Sequence, residues 1–532
     1  MKIGIFLGYG PQVRLGKEGL GRYLGGLMKG FQAQDQEVVI ACPVWLMRTV
    51  SDLMEAFSID KDRVEFINNR RDPPMWKAYQ LSQSRKKRGN FLRELKSLVT
   101  KAIMRVGEQL ADTESALKFT LILLVNLLLA ILLAIPALLA LIARRLVGLL
   151  SGLAVRAYVK TQGITEELGI DDWQLALFTR MNDTVNENLV NLVNERADVD
   201  TWFVPSIFWQ QVLNIDGTVV INAPDLVTQE FPTRFTEAVN AENAIKRCRE
   251  VLLGGRYFIT YCEYVKEELL LKQYGKPGEL VRAIPHVDNS MLPYIQIDPS
   301  VQKTMGTARD LTKAYARSLL AREKPIAASE VYSRMVRWDE VRYIFYASQL
   351  RPSKNILGLI KAYETLLRER FIPQKLFLTC NPETMQEVSR YIREHRLQND
   401  VVCFFNVSAQ TLAALYACAD LVVNPTLYEG GFPFTFGEGM SVGTPSLMSR
   451  IPQTRDVLEP AGLDAIMFDA HDWRDMADKM AEWLPRLDEL YELELPLYRE
   501  LAKRTPDVVA ADYLRAFEDF MRLDGKTREK SA

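Results

Sequence analysis

A glycine-rich loop between an apolar segment and a helical segment most strongly limits what this chain can fold into. Residues 419–423 form an apolar run interrupted only by Asp420, residues 428–440 read Tyr-Glu-Gly-Gly-Phe-Pro-Phe-Thr-Phe-Gly-Glu-Gly-Met, and Gly-Thr-Pro follows at 443–445. The pattern predicts a strand, a loop and the start of a helix. Loop amides and a helix N-terminus bind anions, whereas the carboxylates of Glu429 and Glu438 accept hydrogen bonds from sugar hydroxyls. The stretch therefore predicts a nucleotide-sugar site, and an ordinary packing turn is the alternative.

Alternating strand and helix patterns predict two doubly wound α/β domains, with ligand at the carboxyl ends of the strands. Expected strands are 2–8, 37–43, 63–67, 201–205, 219–222 and 257–260 in the first domain, and 343–348, 375–379, 401–405 and 421–423 in the second. We assign an N-terminal domain at 1–290, a helical connection at 291–340, a C-terminal domain at 341–490 and terminal helices at 491–532.

Charge and cysteine usage exclude several kinds of protein. Lys plus Arg number 66 and Asp plus Glu number 67, which gives no electrostatic reason to expect nucleic acid as a partner. The six scattered cysteines form no Cys-x-x-Cys pair and suit a reducing compartment better than a zinc site. Asp198 and Asp200 precede a strand, so we interpret them as a solvated turn and predict no metal. The chain opens without a basic-then-apolar leader, which favours a cytoplasmic location.

An insertion at about 70–175 interrupts the first domain. It begins with the basic cluster 85–88, continues with 25 uncharged residues at 119–143, and carries Arg144-Arg145 before a second apolar run at 146–155. Because a bilayer span needs about 20 apolar residues, this length favours membrane contact through about 116–155 over a buried core helix.

A single crossing conflicts with the predicted sheet, because strands on opposite sides of a bilayer cannot pair. Pro136 offers a break point, so a re-entrant hairpin or a helix pair lying in one leaflet keeps both flanks on one side. The basic clusters then lie near anionic headgroups. We expect a peripheral or monotopic protein on the inner face of the cell membrane.

Four segments make the chain resemble the retaining glycosyltransferases of family 4, also called group 1. Residues 424–430, 438–440 and 442–445 resemble their donor-site signature, although eight residues separate Glu429 from Glu438 where the family has seven. Gly19 and Gly21, within 18–23, resemble the first loop, which faces the donor diphosphate and acceptor.

Two other segments extend the resemblance with departures. Residues 222–226 resemble the His-Asp-Leu segment, but Pro224 replaces the histidine. Residues 348–355 resemble the loop whose Arg and Lys grip the diphosphate, with Gln349 in place of that Arg. The resemblance therefore implies Lys354 first and Arg351 second as diphosphate ligands.

This family resemblance implies the GT-B architecture, in which two Rossmann-like domains face a cleft, with a hydrophobic helical insertion here and terminal helices crossing back. It implies hexosyl transfer with retention from a GDP- or UDP-sugar, the departing phosphate taking the acceptor proton. The apolar insertion suggests a glycan or lipid-linked acceptor at the cytoplasmic membrane face. No metal or cofactor besides the nucleotide sugar is implied. The implied catalytic residues are Lys354, Arg351 and Glu429, and the implied donor-binding residues are Gly19, Gly21, Gly430, Gly431, Phe432 and Glu438.

Two alternatives remain from the sequence. The departures at Gln349, Pro224 and the longer loop favour a non-catalytic transferase-like scaffold that binds a glycan or partner in a membrane assembly. Lys354 and the two glutamates of the loop oppose that reading. A phosphorylase of the same architecture requires a pyridoxal-binding lysine, for which no motif is present.

Overall fold

The computed structural model describes three main stretches of the chain. They are 1–71 apart from 12, 14 and 16–18, then 173–296 apart from 225 and 231–240, then 305–531 apart from 327–331 and 333–334. Between 72 and 172 it describes only 73, 76, 106, 117–118 and 120–128. The chain forms two compact units, one containing Met1–Asn68 with Leu189–Ala532 and the other containing Asn69–Asn188.

The first sheet of the larger unit has seven parallel strands in the order β3-β2-β1-β4-β5-β6-β7. Its direction of winding reverses between β1 and β4, which is where doubly wound sheets bind ligands. The strands are β1 Lys2–Phe6, β2 Glu37–Ala41, β3 Val64–Ile67, β4 Thr201–Val204, β5 Val219–Asn222, β6 Tyr257–Thr260 and β7 Val281–Ala283.

The second sheet has six parallel strands in the order β10-β9-β8-β11-β12-β13, with the reversal between β8 and β11. The strands are β8 Tyr343–Tyr346, β9 Lys375–Leu378, β10 Val401–Cys403, β11 Leu421–Asn424, β12 Ser446–Ser449 and β13 Met467–Phe468. Two parallel sheets of this kind confirm the expected two-domain α/β architecture.

The structure describes the following α-helices. They are α1 Gly19–Ala33, α2 Met47–Ala56, α3 Trp173–Asn194, α4 Val227–Glu230, α5 Ala241–Gly254, α6 Leu292–Ile295, α7 Met305–Leu320, α8 Ile356–Glu369, α9 Gln386–Glu394, α10 Ala409–Cys418, α11 Phe434–Met440, α12 Pro452–Leu458, α13 Trp473–Trp483, α14 Leu487–Leu501 and α15 Pro506–Ser531. A π-helix occupies Val265–Gln273.

The strands form where the chain offers short apolar runs that can be covered on both faces. Strands β4, β6, β8 and β11 are buried at every position. Each fully buried Val, Leu, Ile or Phe contributes about 1.5–3 kcal/mol relative to exposure. All ten strands expected from the sequence are present, most of them ending one or two residues earlier than predicted.

Three strands escaped the sequence analysis. Strand β7 is three residues long and contains Arg282, β12 begins and ends with serine, and β13 has only two residues. The connection at 291–340 is also more than a linker. Ile326 forms an antiparallel bridge with Cys403, and Ala316 and Leu320 of α7 pack in the apolar cluster under the second sheet.

The chain returns to the first sheet only at its end. Helix α14 still contacts the second sheet, because both carboxylate oxygens of its Glu494 accept from the Ser446 N–H of β12 at 3.1 Å. Helix α15 lies against α1 instead. A Cβ at Gly30 of α1 would meet the Pro506 carbonyl oxygen at 2.2 Å, so only glycine permits this approach.

The second unit, Asn69–Asn188, falls between β3 and β4. Strand β1 pairs with both β2 and β4, so the sheet closes across the insertion. Residues 120–128 are helical, and several of their apolar side chains are largely exposed. Within the described part of the chain, every helix is too short or too polar to span a bilayer. The basic clusters at 85–88 and 144–145, Pro136, and residues 119, 129–143 and 146–155 of the apolar runs lie outside the described residues.

Candidate functional site

Lys354 lies where a short 3₁₀ helix, Pro352–Lys354, meets helix α8. Asn355 makes this junction with a φ of 50°, a left-handed conformation that asparagine tolerates, and its Nδ2 donates to the Ala470 carbonyl at 2.8 Å. The Lys354 ammonium forms an ion pair with the Glu429 carboxylate. Their side chains are 21% and 19% exposed, so the pair is reachable from solvent without being flexible surface charge.

Buried hydrogen bonds tie the lysine loop to the loop that carries Glu429. The Ser353 carbonyl accepts from the Leu427 N–H at 2.8 Å and from the Thr426 hydroxyl at 3.1 Å. The Ser449 hydroxyl of β12 donates to the Thr426 carbonyl at 2.6 Å. Such bonds are strong in a low-dielectric interior, so they fix the relative positions of Lys354 and Glu429.

Glu438, at the other end of the loop, is almost fully buried and lies in α11. Its Oε1 accepts from the Arg22 guanidinium at 2.5 Å and from Asn289 Nδ2 at 2.5 Å, and its Oε2 accepts from the Tyr416 hydroxyl at 2.5 Å. The Glu438 charge raises the pKa of Arg22, and burial next to the same carboxylate raises the pKa of Tyr416. Arg22 belongs to α1 of the first sheet, so this cluster joins the two domains.

The glycine-rich loop that carries the two glutamates contacts three loops of the first domain. The residues after β5, β6 and β7 each supply one donor to it. The bonds are Leu226 N–H to the Tyr428 hydroxyl at 2.8 Å, Cys262 Sγ–H to the Gly430 carbonyl at 3.3 Å, and His286 Nε2 to the Phe432 carbonyl at 2.7 Å. The carboxyl edges of the two sheets therefore face each other across this loop.

His286 is partly buried in that contact. Its ring lies 3.9 Å from the Phe434 ring, centroid to centroid, and its Nδ1 is 3.2 Å from the Val287 carbonyl. Burial lowers the pKa of His286 below its ordinary value. A neutral ring has one N–H, and we assign it to Nε2, which makes the shorter contact with Phe432.

The glycines of the site serve two different purposes. A Cβ at Gly21 would meet the Leu15 carbonyl oxygen at 1.8 Å, so Gly21 is needed for packing inside the first domain. Gly19 is exposed at the start of α1, and a Cβ added there would lie 4.0 Å from the Phe434 ring across the cleft. A Cβ at Gly431 would lie 2.8 Å from Tyr261 Cβ, so this glycine lets the loop approach the first domain.

The structure also places Arg351 and Asp198, two residues that the sequence singled out. Arg351 is exposed just before the 3₁₀ helix that ends in Lys354. Asp198 forms ion pairs with Lys2 and Arg196 at the amino end of the first sheet, away from the cleft. Asp225 and Glu18, which belong to the resembling segments, lie outside the described residues.

Sequence reasoning missed the polar partners of Glu438 and one acidic neighbour. Asn289 and Asp288 follow β7, and a Cβ at Gly437 would meet Asp288 Oδ1 at 2.3 Å. Burial, with Glu438 nearby, raises the pKa of Asp288 to about 6. Only Arg22 stood inside a quoted motif, and nothing in the sequence pairs it with a residue 416 positions away.

Comparisons with known proteins identify the family that the second domain resembles. Residues 333–492 match the family model described as glycosyl transferases group 1. That segment contains Lys354, Glu429 and Glu438. It is a group 1 glycosyltransferase domain.

Curated relatives of the chain are mannosyltransferases. The O-antigen chain mannosyltransferase B of Escherichia coli is 32% identical over 125 residues, which is 23% of this chain and 32% of that protein. The MMP alpha-(1->4)-mannosyltransferase of Mycolicibacterium hassiacum is 33% identical over 121 residues, which is 23% of this chain and 29% of that protein. The match thus spans about a third of the length of these relatives.

Solved structures share the fold over nearly the whole chain. A glycosyltransferase from Rickettsia africae has a TM-score of 0.52 at 10% identity and covers 98% of both chains. Anabaena HepE in complex with UDP-glucose has a TM-score of 0.53 at 12% identity, covering 97% of this chain and 100% of that one. The two-sheet architecture around the group 1 domain is therefore the GT-B fold of glycosyltransferases.

Proposed function

We propose that the protein is a retaining glycosyltransferase that moves a hexose from a nucleoside-diphosphate sugar to a glycan or lipid-linked acceptor at the cytoplasmic membrane face. The Lys354–Glu429 ion pair carries this proposal. A cation and a carboxylate are held side by side at the carboxyl edge of the second sheet, where the group 1 domain faces the first sheet.

The chemistry follows from what each partner can bind. Lys354, with Arg351 beside it, neutralises the charge that develops on the departing diphosphate, a function that requires no metal. Glu429 accepts hydrogen bonds from hydroxyls of the transferred sugar. The bond from the anomeric carbon to phosphate breaks, a bond to the acceptor oxygen forms on the same face, and the acceptor proton goes to the departing phosphate.

We further propose that the hexose is mannose. Both curated relatives are mannosyltransferases, and their matching segments resemble this chain at 32% and 33% identity. Among the solved structures, Anabaena HepE was determined with UDP-glucose, which supports a nucleotide sugar as the donor class. A comparison of GDP-mannose with UDP-glucose as donors tests the sugar.

The membrane part of the proposal depends on the insertion. Residues 120–128 expose Leu121, Leu124 and Leu128 by 61%, 53% and 60%. Exposed apolar patches of this kind mark membrane or partner contacts. Because β1 pairs with strands from both sides of the insertion, the insertion begins and ends on one side of any membrane, which favours monotopic attachment.

The activity is tested by following nucleotide release from GDP-mannose and UDP-glucose with membrane extract as acceptor. We expect Lys354→Met to lower kcat about 10²–10³-fold, because it removes one preorganised charge at the leaving group. Lys361→Met, in which the lost ammonium packs on the Tyr391 ring of the same domain, is the matched control. Equal rates for both variants would refute the assignment of Lys354.

Retention and membrane attachment need separate measurements. The anomeric configuration of the product, read by NMR, must equal that of the donor. Flotation with vesicles containing anionic lipid must depend on 119–143, and full transfer to a soluble acceptor after deletion of that segment would contradict a lipid-linked acceptor.

One observation favours the scaffold alternative. Glu438 makes three hydrogen bonds inside the protein and has a side-chain exposure of only 3%, so it is not open to ligand hydroxyls in this state. A scaffold would release no nucleotide from any donor, with or without Lys354.

A further inference from the structure

Each carboxylate of the glycine-rich loop forms an ion pair with a basic side chain. Glu429 pairs with Lys354, and Glu438 pairs with Arg22 at 2.5 Å. The two pairs stand at the two ends of the loop, one within the second domain and one between the domains. The two ion pairs therefore add no net charge to the predicted donor site in the loop's paired state, although a diphosphate ligand brings at least two negative charges.

The Glu438 carboxylate has no spare room for a ligand while all three of its partners stay. Tyr416 is fully buried in α10, and its hydroxyl has Glu438 as its acceptor. Asn289 reaches Glu438 from the segment after β7. The Arg22 side chain is 32% exposed, so its guanidinium can turn from Glu438 toward the solvent-accessible cleft.

Arg22 is also placed to contact a ligand of the loop. It lies in the first turn of α1, and its Cζ is 5.9 Å from the centroid of the Phe434 ring, at the end of the loop. A Cβ added at Gly19, one turn earlier, would lie 4.0 Å from the same ring. A guanidinium can bind two phosphate oxygens at once, which a lysine ammonium cannot do with the same geometry.

We propose that Arg22 is a further donor-binding residue, which leaves Glu438 and binds the donor diphosphate when the nucleotide sugar enters. The exchange frees one acceptor position on Glu438 Oε1, which keeps its bond from Asn289, for a hydroxyl of the donor. It brings a cation from the first domain to a diphosphate bound on the second, so donor binding and contact between the domains are coupled. This inference rests on the proposed function, since it assumes a nucleoside-diphosphate donor.

The test compares ligands with and without phosphate. Binding of UDP, GDP, uridine and guanosine is measured by calorimetry for the wild type and for Arg22→Met, with Arg48→Met, an exposed arginine of α2, as control. We expect Arg22→Met to bind the preferred nucleoside diphosphate about ten- to a hundredfold more weakly, because one charge-assisted contact is lost. The parent nucleoside should bind at least as tightly as to the wild type, because Glu438 is released. Arg22→Lys, which keeps the charge, should fall between the two for the diphosphate.

Three outcomes would overturn the inference. If nucleosides and nucleoside diphosphates both bind Arg22→Met more tightly than the wild type, Arg22 only competes with the ligands for Glu438. If both ligand classes bind equally more weakly, in Arg22→Lys as well, Arg22 has only a structural role. If the binding of both ligand classes is unchanged, Arg22 does not belong to the donor site. Failure of the wild type to bind either nucleoside diphosphate would instead refute the proposed function first.

Discussion

Replacing Gly431 with alanine tests whether the docking of the loop on the first domain sets donor affinity. The new Cβ would lie 2.8 Å from Tyr261 Cβ, whereas unstrained carbon contacts are about 3.5–4.0 Å. The Tyr261 side chain cannot retreat, because its hydroxyl accepts from Asn222 Nδ2 at 2.8 Å and its ring packs on Tyr23. The loop must therefore move by about 1 Å.

A displacement of that size can cost about 10²-fold in the rate of a positioned reaction, or about 2.7 kcal/mol, and we apply the same magnitude to the binding free energy of the donor. We expect Gly431→Ala to raise the Kd for the preferred nucleoside diphosphate by about that factor. Overpacking should also lower the free energy of unfolding by about 1–3 kcal/mol. Gly431 is not among the glycines with positive φ, so backbone strain adds nothing to either effect.

Calorimetry gives the Kd, and urea unfolding gives the stability. The control is Gly278→Ala, whose Cβ would make an ordinary contact with Leu271 at 3.7 Å. It should bind as the wild type does and be as stable or slightly more so. If Gly431→Ala is destabilised yet binds with an unchanged Kd, the docked position of the loop does not control donor affinity.

Three further variants probe buried polar groups by urea unfolding. Burial lowers the pKa of His286 below its ordinary 6.5, so the unfolded chain binds the proton more readily than the folded chain. The wild type should therefore lose stability as pH falls from 6.5 through the lowered pKa, and His286→Gln should lose less. Burial raises the pKa of Glu494 well above its ordinary 4.5, so its contribution to stability changes with pH in the opposite direction. The wild type should lose stability as pH rises from 4.5 through the raised pKa, and Glu494→Gln should lack that loss. Tyr513→Phe removes the acceptor of the buried Tyr23 hydroxyl, 2.6 Å away, and should cost about 1–2 kcal/mol at all these pH values; no change would mean that the hydroxyl finds another partner.

The architecture was predictable because its strands are continuous apolar runs bounded by glycine, proline or polar residues. Strand β4, Thr201–Val204, is buried at all four positions, as such a run requires. Strand β12, Ser446–Ser449, is equally buried, but its serines resemble loop residues in the sequence. What buries those serines is α14 and neighbouring loops, which no local pattern of four residues encodes.

The candidate site was predictable where its residues are local in the chain. Lys354 and Glu429 lie on loops that follow strands, and the structure brings them into contact. The partners of Glu438 were not predictable, because Arg22 and Asn289 come from the other domain. Glu438 was expected to accept from ligand hydroxyls, and the closed cleft instead satisfies it with protein donors. That expectation stays a prediction for the donor-bound state.

Helix α15 gives the chain an unusual order of completion during synthesis. Tyr23 of α1 and Tyr513 of α15, which share a buried hydrogen bond, are 490 residues apart. At about 5–20 residues per second, roughly 25–100 s separate their emergence from the ribosome. The second sheet and its helices are finished within that interval, so the N-terminal domain, although translated first, must wait for the last helix before its core is sealed.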